Sequence, residues 1–346
     1  MSEASTLTQA GPIGVDPSLK PVTIGASAIA HLPMGIGGSW FVPYSAPSEE
    51  DQNLRGAIEA AYDYGLRHFD TGAGYGGGHS EELYGQFLRG KREEIYLASK
   101  SDTTEMTAAA MLAEVDGSLR RLATDYIDLY YIHWPKAGRD MRPTMEGLEL
   151  ARRQGKVRAV GVSNFSVDQM RQVQEVGTVE AHQLGYNLLW RYAEDDVVPF
   201  CTKHRIAVVA YSTLAHGILT GKFKRTPVLT DRDQRHQILP FRADIWPHVY
   251  EGVEKLKTIA SELDRPLMHL AIRWSLTRPG ITLVIFGARN RVQSEANARA
   301  LAGTIPDTAF QRMTAISDEI VKHVPNVGNL FNHLSLIHIS EPTRPY

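Results

Sequence analysis

The sequence predicts an α/β protein: a single-domain (β/α)8 TIM barrel. Three observations carry that expectation. Eight short apolar runs recur along the chain, amphipathic stretches separate them, and 346 residues suits a barrel folded as one unit. The first four runs are "HLPMGIG" (31–37), "LRHFD" (66–70), "EIYLAS" (94–99) and "YIDLYYIH" (126–133). The second four are "VRAVGVS" (157–163), "TVEAHQ" (178–183), "RIAVVAY" (205–211) and "ITLVIFG" (281–287). They read as continuous rather than alternating apolar segments, the pattern of a parallel sheet covered by helices. Helical periodicity lies over 48–64, 80–90, 107–123, 143–154, 166–176 and 194–204, and over 247–277 with a break at Pro266. The stretch from Tyr211 to Trp246 is too irregular for one helix and reads as an excursion over the barrel mouth. Residues 1–22 are small and polar, punctuated by Gly and Pro, and read as a poorly ordered segment. The barrel is expected over 23–325, and 326–346 reads as a C-terminal tail.

Composition narrows the function. The formal charge is −2 with both signs interspersed, so no electrostatic footprint for nucleic acid or an anionic membrane is present. Cys201 is the lone cysteine, which excludes a disulfide framework and a thiolate metal site; in a helical pattern it reads as a small buried residue. The thirteen histidines form no ligand-spaced cluster, so no metal site is expected. No apolar run approaches the roughly 18 residues that span a bilayer. The first residues lack the basic and apolar regions of a signal peptide. These readings give the expectation of a cytoplasmic protein.

The stretch "HFDTGAGYGGGHSEELYG" (68–85) admits two readings. Gly72, Gly74 and Gly77 satisfy the dinucleotide fingerprint G-x-G-x-x-G. That fold, however, places its Gly-rich turn after the first strand and an acidic residue at the end of the next. Here the turn follows the second run, and Glu93 and Glu94 lie at the start of the third. The fingerprint fails its context.

The alternative is chemical. Asp70, Lys100 and His133 each close a parallel strand, and Tyr75 follows Asp70 by a short loop. Strand ends converge on the C-terminal mouth of a barrel, where active sites are built. A tyrosine hydroxyl, with an ordinary pKa of about 10, becomes a useful acid only beside a cation that stabilises its phenolate. Lys100 can supply the cation, Asp70 can hold it, and His133 can bond a substrate oxygen or pass protons. The set suits proton donation to a carbonyl oxygen, or removal of a proton from an alcohol. Singly, each residue has a bland reading: a turn cap, a loop aromatic, a solvated strand end, a satisfied histidine. Ser163, Asn164, Gln183, Tyr211 and Ser212 sit on further strand ends, offering amides, hydroxyls and an aromatic plate for a flat polar ring. Trp40, Phe41, Trp134 and Trp190 suggest an aromatic rim.

These segments together resemble the aldo-keto reductase family. "FDTGAGYGGGHSEELYG" is similar to that family's F-D-T-A-x-x-Y-G-x-G-x-S-E-x-x-x-G block, and six further blocks follow in the family's order. They are "IYLASK", "IDLYYIHWP", "GKVRAVGVSNF", "HQLGYNLLWR", "AYSTLAHGILTGKF" and "GARNRVQSEANARAL", so the likeness runs from about Ile24 to Leu301. The resemblance implies hydride transfer between NADPH and the carbonyl of an aldehyde, ketone or sugar, or the reverse on an alcohol. It implies a tetrad of Asp70, Tyr75, Lys100 and His133 with Tyr75 as general acid. By motif position, Ser163, Asn164 and Gln183 would hold the nicotinamide carboxamide, Tyr211 would stack on its ring, and Ser212, Leu214, Gly217 and Lys222 would line the pyrophosphate path. Gly287, Arg289, Gln293 and Asn297 would grip adenine and the 2′-phosphate of NADP. By the same resemblance, Gly38, Ser39 and Trp40 stand where the family's first barrel strand meets cofactor and substrate. An anion at that last helix start is independently favourable.

Phe286 and Thr213 replace prolines usual in the family, and His216 replaces a longer polar or basic residue. The end "SLIHISEPTRPY" has no family counterpart and reads as an appended, non-native tail. Two other functions compete: a nucleotide-sensing regulatory subunit like the family's potassium-channel β members, and a barrel hydrolase with paired carboxylates. The intact tetrad favours an enzyme over the first. Asp70 lacks a partner acid at a neighbouring strand end, which counts against the second.

Overall fold

A computed structural model describes residues 14–25, 27, 29–39, 49–230 and 233–330, with backbone only at 50 and 234. Eight parallel strands close into a barrel in sequence order: β1 (Met34–Gly37), β2 (His68–Asp70), β3 (Tyr96–Lys100), β4 (Ile127–Ile132), β5 (Val157–Ser163), β6 (Ala181–Gly185), β7 (Ala207–Tyr211) and β8 (Ile281–Gly287). β8 pairs back onto β1, with Gly37 opposite Gly287. The helices are α1 (Glu49–Asp63), α2 (His79–Leu88), α3 (Ala108–Leu122), α4 (Arg142–Arg153), α5 (Val167–Gln174), α6 (Val197–Lys203), α7 (Trp246–Glu262), α8 (Leu267–Leu276), α9 (Arg291–Ala298) and α10 (Asp307–Val321).

Local chemistry explains the boundaries. Thr107 caps α3 by accepting from Ala110 N, and Ser166 and Gln169 form a reciprocal capping box on α5. Pro266 separates α7 from α8, because a proline nitrogen cannot donate into the preceding turn. Among its described residues the Tyr211–Trp246 excursion holds short 3₁₀ turns, at Ala215–Thr220, Gln234–Gln237 and Leu239–Phe241, and no α-helix before α7.

The core has two parts. One lies inside the barrel and includes Tyr96, Ala98, Leu129, Tyr131, Val209 and Leu283. The larger one fills the space between strands and helices. A bridge between Val22 and His31 folds the chain back below β1, and Ile24 joins the inner core, closing the N-terminal end.

Two boundary expectations change. Residues 14–22 pack on the barrel: Val15 bridges Ala302, Asp16 N donates to Leu301 O at 2.8 Å, and the buried Asp16 carboxylate pairs with Arg273. At the other end Val327 O accepts from Trp190 Nε1 at 2.7 Å, and Leu330 is buried. The expected tail from 331, like Trp40 and Phe41, lies outside the described residues.

Candidate active site

Strand alternation aims the key side chains inward. Residues two apart on a strand share a face. Ala98 and Tyr131 belong to the inner core, so Lys100 on β3 and His133, one residue past β4, follow them into the mouth. Asp70 ends β2, with Gly37 and Ala98 as its register partners.

Lys100 is fully buried and Asp70 nearly so. An unpaired buried ammonium is costly, and here its acceptors include Asp70 Oδ1, in an ion pair, and Thr71 O at 2.7 Å, with the Tyr75 side chain also hydrogen-bonded to it. Burial pulls the Lys100 pKa down, but Asp70, with help from Tyr75, outweighs it and leaves the ammonium raised above its ordinary range. The Lys100 nitrogen lies 5.0 Å from the centre of the Tyr75 ring, and Tyr75 Oη is 3.4 Å from His133 Nε2. Those two rings meet edge to face at 5.5 Å, and both remain half-buried, open to the mouth. A phenol thus stands between a fixed cation and an imidazole at a solvent-reachable surface.

The glycines of the loop serve this geometry. A Cβ on Gly74 would meet the Asp102 carboxylate at 2.5 Å, and one on Gly72 would press the Tyr75 ring at 3.3 Å. They permit close approach of loop and side chain, rather than forming a phosphate cradle.

Ser163, Asn164, Gln183 and Tyr211 gather beside these four residues. Gln183 Nε2 donates to Asp70 Oδ2 at 2.7 Å, a contact that residue types alone did not suggest. Asn164, at φ 63°, donates to His133 O at 3.2 Å and Ser163 Oγ at 3.0 Å, and accepts from Tyr211 Oη at 2.8 Å. The Tyr211 ring is fixed at its far end and backed edge-on by Trp190 at 6.0 Å. Trp190 is not part of a rim, as its residue type suggested. It is buried at 2 % exposure, in space that the missing Cβ of Gly185 vacates. Trp134 alone of the expected rim is described at the mouth, its ring 6.2 Å from His133.

The remaining residues extend from β7 to α9. Ser212, at φ 56°, turns the chain out of β7; Leu214 follows, and Gly217 at φ 92° brings Lys222 within 3.2 Å of where a Cβ would sit. His216 Nε2 lies 3.4 Å from Ser212 Oγ, and burial together with Arg235 pushes its pKa down to about 4. Thr213 donates to Ile285 O at 3.3 Å. Gly287 ends β8 and accepts from Asn297 at 3.2 Å, while Gln293 accepts from Arg289 N at 3.0 Å. Gly38 N donates to Asp70 O at 2.8 Å, with Ser39 exposed beyond it.

Two observations fit this arm to an anionic, hydrogen-bonding group. Partial burial lowers the Lys222 pKa, and the cations of Arg235 and Arg289 lower it further; Asp233, ion-paired with Arg235, works in the opposite direction, so three positive groups share a neighbourhood with one carboxylate. At α9 the buried Asn297 Oδ1 and Ser294 Oγ have no hydrogen-bond partner among the described residues. Arg235 was missed from sequence, because it lies in an irregular excursion with neither periodicity nor motif to mark it.

Comparison with known proteins agrees with the geometry. The profile of the Aldo/keto reductase family matches residues 33–318. The aldo-keto reductase YhdN of Bacillus subtilis is 33% identical over 299 residues, covering 83% of this chain and 89% of that protein. The structure of the glycerol dehydrogenase of Gluconobacter oxydans superposes with a TM-score of 0.79 at 29% identity, over 90% of this chain and 98% of that one. An aldo/keto reductase of Klebsiella pneumoniae, in complex with NADP and acetate, gives 0.71 at 26% identity, over 90% and 99%. By its barrel, its strand-end constellation and these likenesses, the chain belongs to the aldo/keto reductase family.

Proposed function

We propose that this protein is an NADP(H)-dependent oxidoreductase that reduces the carbonyl of an aldehyde, ketone or sugar, and oxidises the corresponding alcohol in reverse. The supporting observation is the buried Lys100 ammonium, held by Asp70 and Thr71 O and set against the half-buried Tyr75 ring. When bound, the nicotinamide supplies the hydride. Tyr75 gives its hydroxyl proton to the carbonyl oxygen, and Lys100 stabilises the phenolate left behind. Asp70 keeps Lys100 charged and in place. His133 bonds the same substrate oxygen and orients it toward Tyr75.

The cofactor arm follows from the same layout. Tyr211, tied to Asn164, is the plate for the ring, and Ser163, Asn164 and Gln183 hold the carboxamide. Ser212, Leu214, Gly217 and Lys222 line the pyrophosphate path. Gly287, Arg289, Gln293 and Asn297 take the adenosine and its 2′-phosphate, while Gly38 and Ser39 follow the first strand. Among the described residues no helix is long and apolar enough to cross a membrane. A cytoplasmic setting fits the lone cysteine, which is buried and whose thiol burial pushes up to about 12.

The test is a panel of aldehydes, ketones and sugars followed by NADPH and NADH absorbance in both directions. Turnover of at least one carbonyl with NADPH is expected. Tight nucleotide binding with no turnover across the panel would overturn the reading in favour of a nucleotide sensor.

A further inference from the structure

Beside the Asp70 carboxylate and the Tyr75 side chain, the Lys100 ammonium has a peptide carbonyl as an acceptor. That carbonyl belongs to Thr71, 2.7 Å away, so the direction of the 71–72 peptide matters alongside the position of Asp70. Its orientation is set from outside the strand. Thr71 Oγ1 and Ser80 Oγ lie 2.6 Å apart, and Ser80 Oγ lies 3.1 Å from Gly38 O. A carbonyl only accepts, so the single Ser80 proton goes to Gly38 and the Thr71 hydroxyl donates to Ser80. Gly38 N completes a ring by donating to Asp70 O at 2.8 Å, and Thr71 N is anchored on Ala98 O at 2.9 Å.

Thr71 and Ser80 are fully buried, so neither hydroxyl has bulk water as an alternative partner. Glu81, next in the chain, braces the same turn of α2. It accepts from Ser99 Oγ at 2.5 Å, one residue before Lys100, and from Arg121 Nε at 2.6 Å. The start of α2 therefore grips β1, β2 and β3 where they deliver Gly38, Asp70 and Lys100.

We infer that Ser80, acting through the Thr71 hydroxyl, is a positioning residue for Lys100. It touches neither substrate nor cofactor. It keeps the Thr71 carbonyl aimed at the ammonium, which in turn keeps the cation against Tyr75. The inference rests on the reading that Lys100 tunes Tyr75 for proton transfer, and Lys100→Met serves as its control.

The experiment measures kcat against pH for the full-length protein, with NADPH and its best carbonyl substrate, in Ser80→Ala, Thr71→Val, the double variant and Thr71→Ser. A displaced cation raises the Tyr75 pKa, so the basic limb of the profile moves to higher pH in both single variants, in the same direction as in Lys100→Met. A loss of about 10-fold in kcat accompanies the shift, within what small misplacements of catalytic groups cause. The double variant is no worse than either single, because both remove one link. Thr71→Ser keeps the hydroxyl and the wild-type profile. Melting temperature separates a structural role, which would lower stability without moving the limb. An unmoved limb in Ser80→Ala and Thr71→Val, with Lys100→Met shifted, overturns the positioning role, as does additivity in the double variant. An unmoved limb in Lys100→Met overturns the proton-transfer reading and the positioning role with it.

Discussion

Lys100 is the residue on which the site turns. A fully buried ammonium persists only because Asp70 and the Thr71 carbonyl replace its hydration, and that arrangement holds a full positive charge beside Tyr75. Removing the Tyr75 hydroxyl deletes the proton donor and leaves the ring in place. Tyr75→Phe should therefore lower turnover by on the order of 10²-fold or more, with cofactor binding nearly unchanged. Near wild-type turnover in that variant would sink the general-acid assignment. Lys100→Met should leave Tyr75 a weaker acid and move the basic limb of the pH profile upward; an unchanged limb counts against the pairing.

Single elements carry the next level. α9 starts where Asn290 caps its first turn by accepting from Gln293 N at 3.0 Å, and Arg289 stands just outside it. A cation at a helix N-terminus is unfavourable alone, but an anion between the two reverses the sign. Arg289→Ala should weaken NADPH binding by about 1.5–3 kcal/mol, the range for hydrogen bonds to charged groups. NADH, lacking the 2′-phosphate, should lose much less. Paired fluorescence titrations at fixed ionic strength decide it: equal losses would mean Arg289 does not read the phosphate. On the next element, β6, a Cβ at Gly185 would fall 1.7 Å from Trp190 Cζ3. Gly185→Ala should then cost about 1–3 kcal/mol, typical of overpacking, and release the backing of Tyr211. Urea unfolding tests the first effect; an unchanged midpoint would show that Trp190 has room to move.

At the scale of the whole molecule, the fold buries several histidines in neutral form. Burial lowers the pKa of His31, and that of His68 well below its ordinary value. It takes His182 to about 3. Each folded value lies below the unfolded one of about 6.5, so the unfolded chain binds more protons in acid. Stability from these groups is complete above about pH 6.5 and is lost as the pH falls toward their folded values. The slope is at most about 1.4 kcal/mol per pH unit for each histidine. Melting temperature should thus drop steadily from pH 6.5 to 4, and less steeply in His182→Gln. A flat profile over that window would mean that these imidazoles take up protons in the folded protein as readily as in the unfolded chain.

What the sequence by itself determined is the barrel and the gathering of Asp70, Tyr75, Lys100 and His133 at its mouth. Parallel strands are buried on both faces, so "YIDLYYIH" and "RIAVVAY" stand out as unbroken apolar runs, and functional residues at their ends inherit a common mouth. Its boundaries were good to a few residues: the sixth strand, read at 178–183, runs Ala181–Gly185. Tertiary structure decided the pairings between distant residues. Asp16 meets Arg273 across 257 positions, Gln183 meets Asp70 across 113, and Trp190 fills the space at Gly185 rather than rimming the mouth. Local periodicity records which face a residue occupies and carries no information about its partner. The Ser80–Thr71 link and the Arg235 charge are of that second kind, because strand register and the folding of an irregular loop bring them to the site.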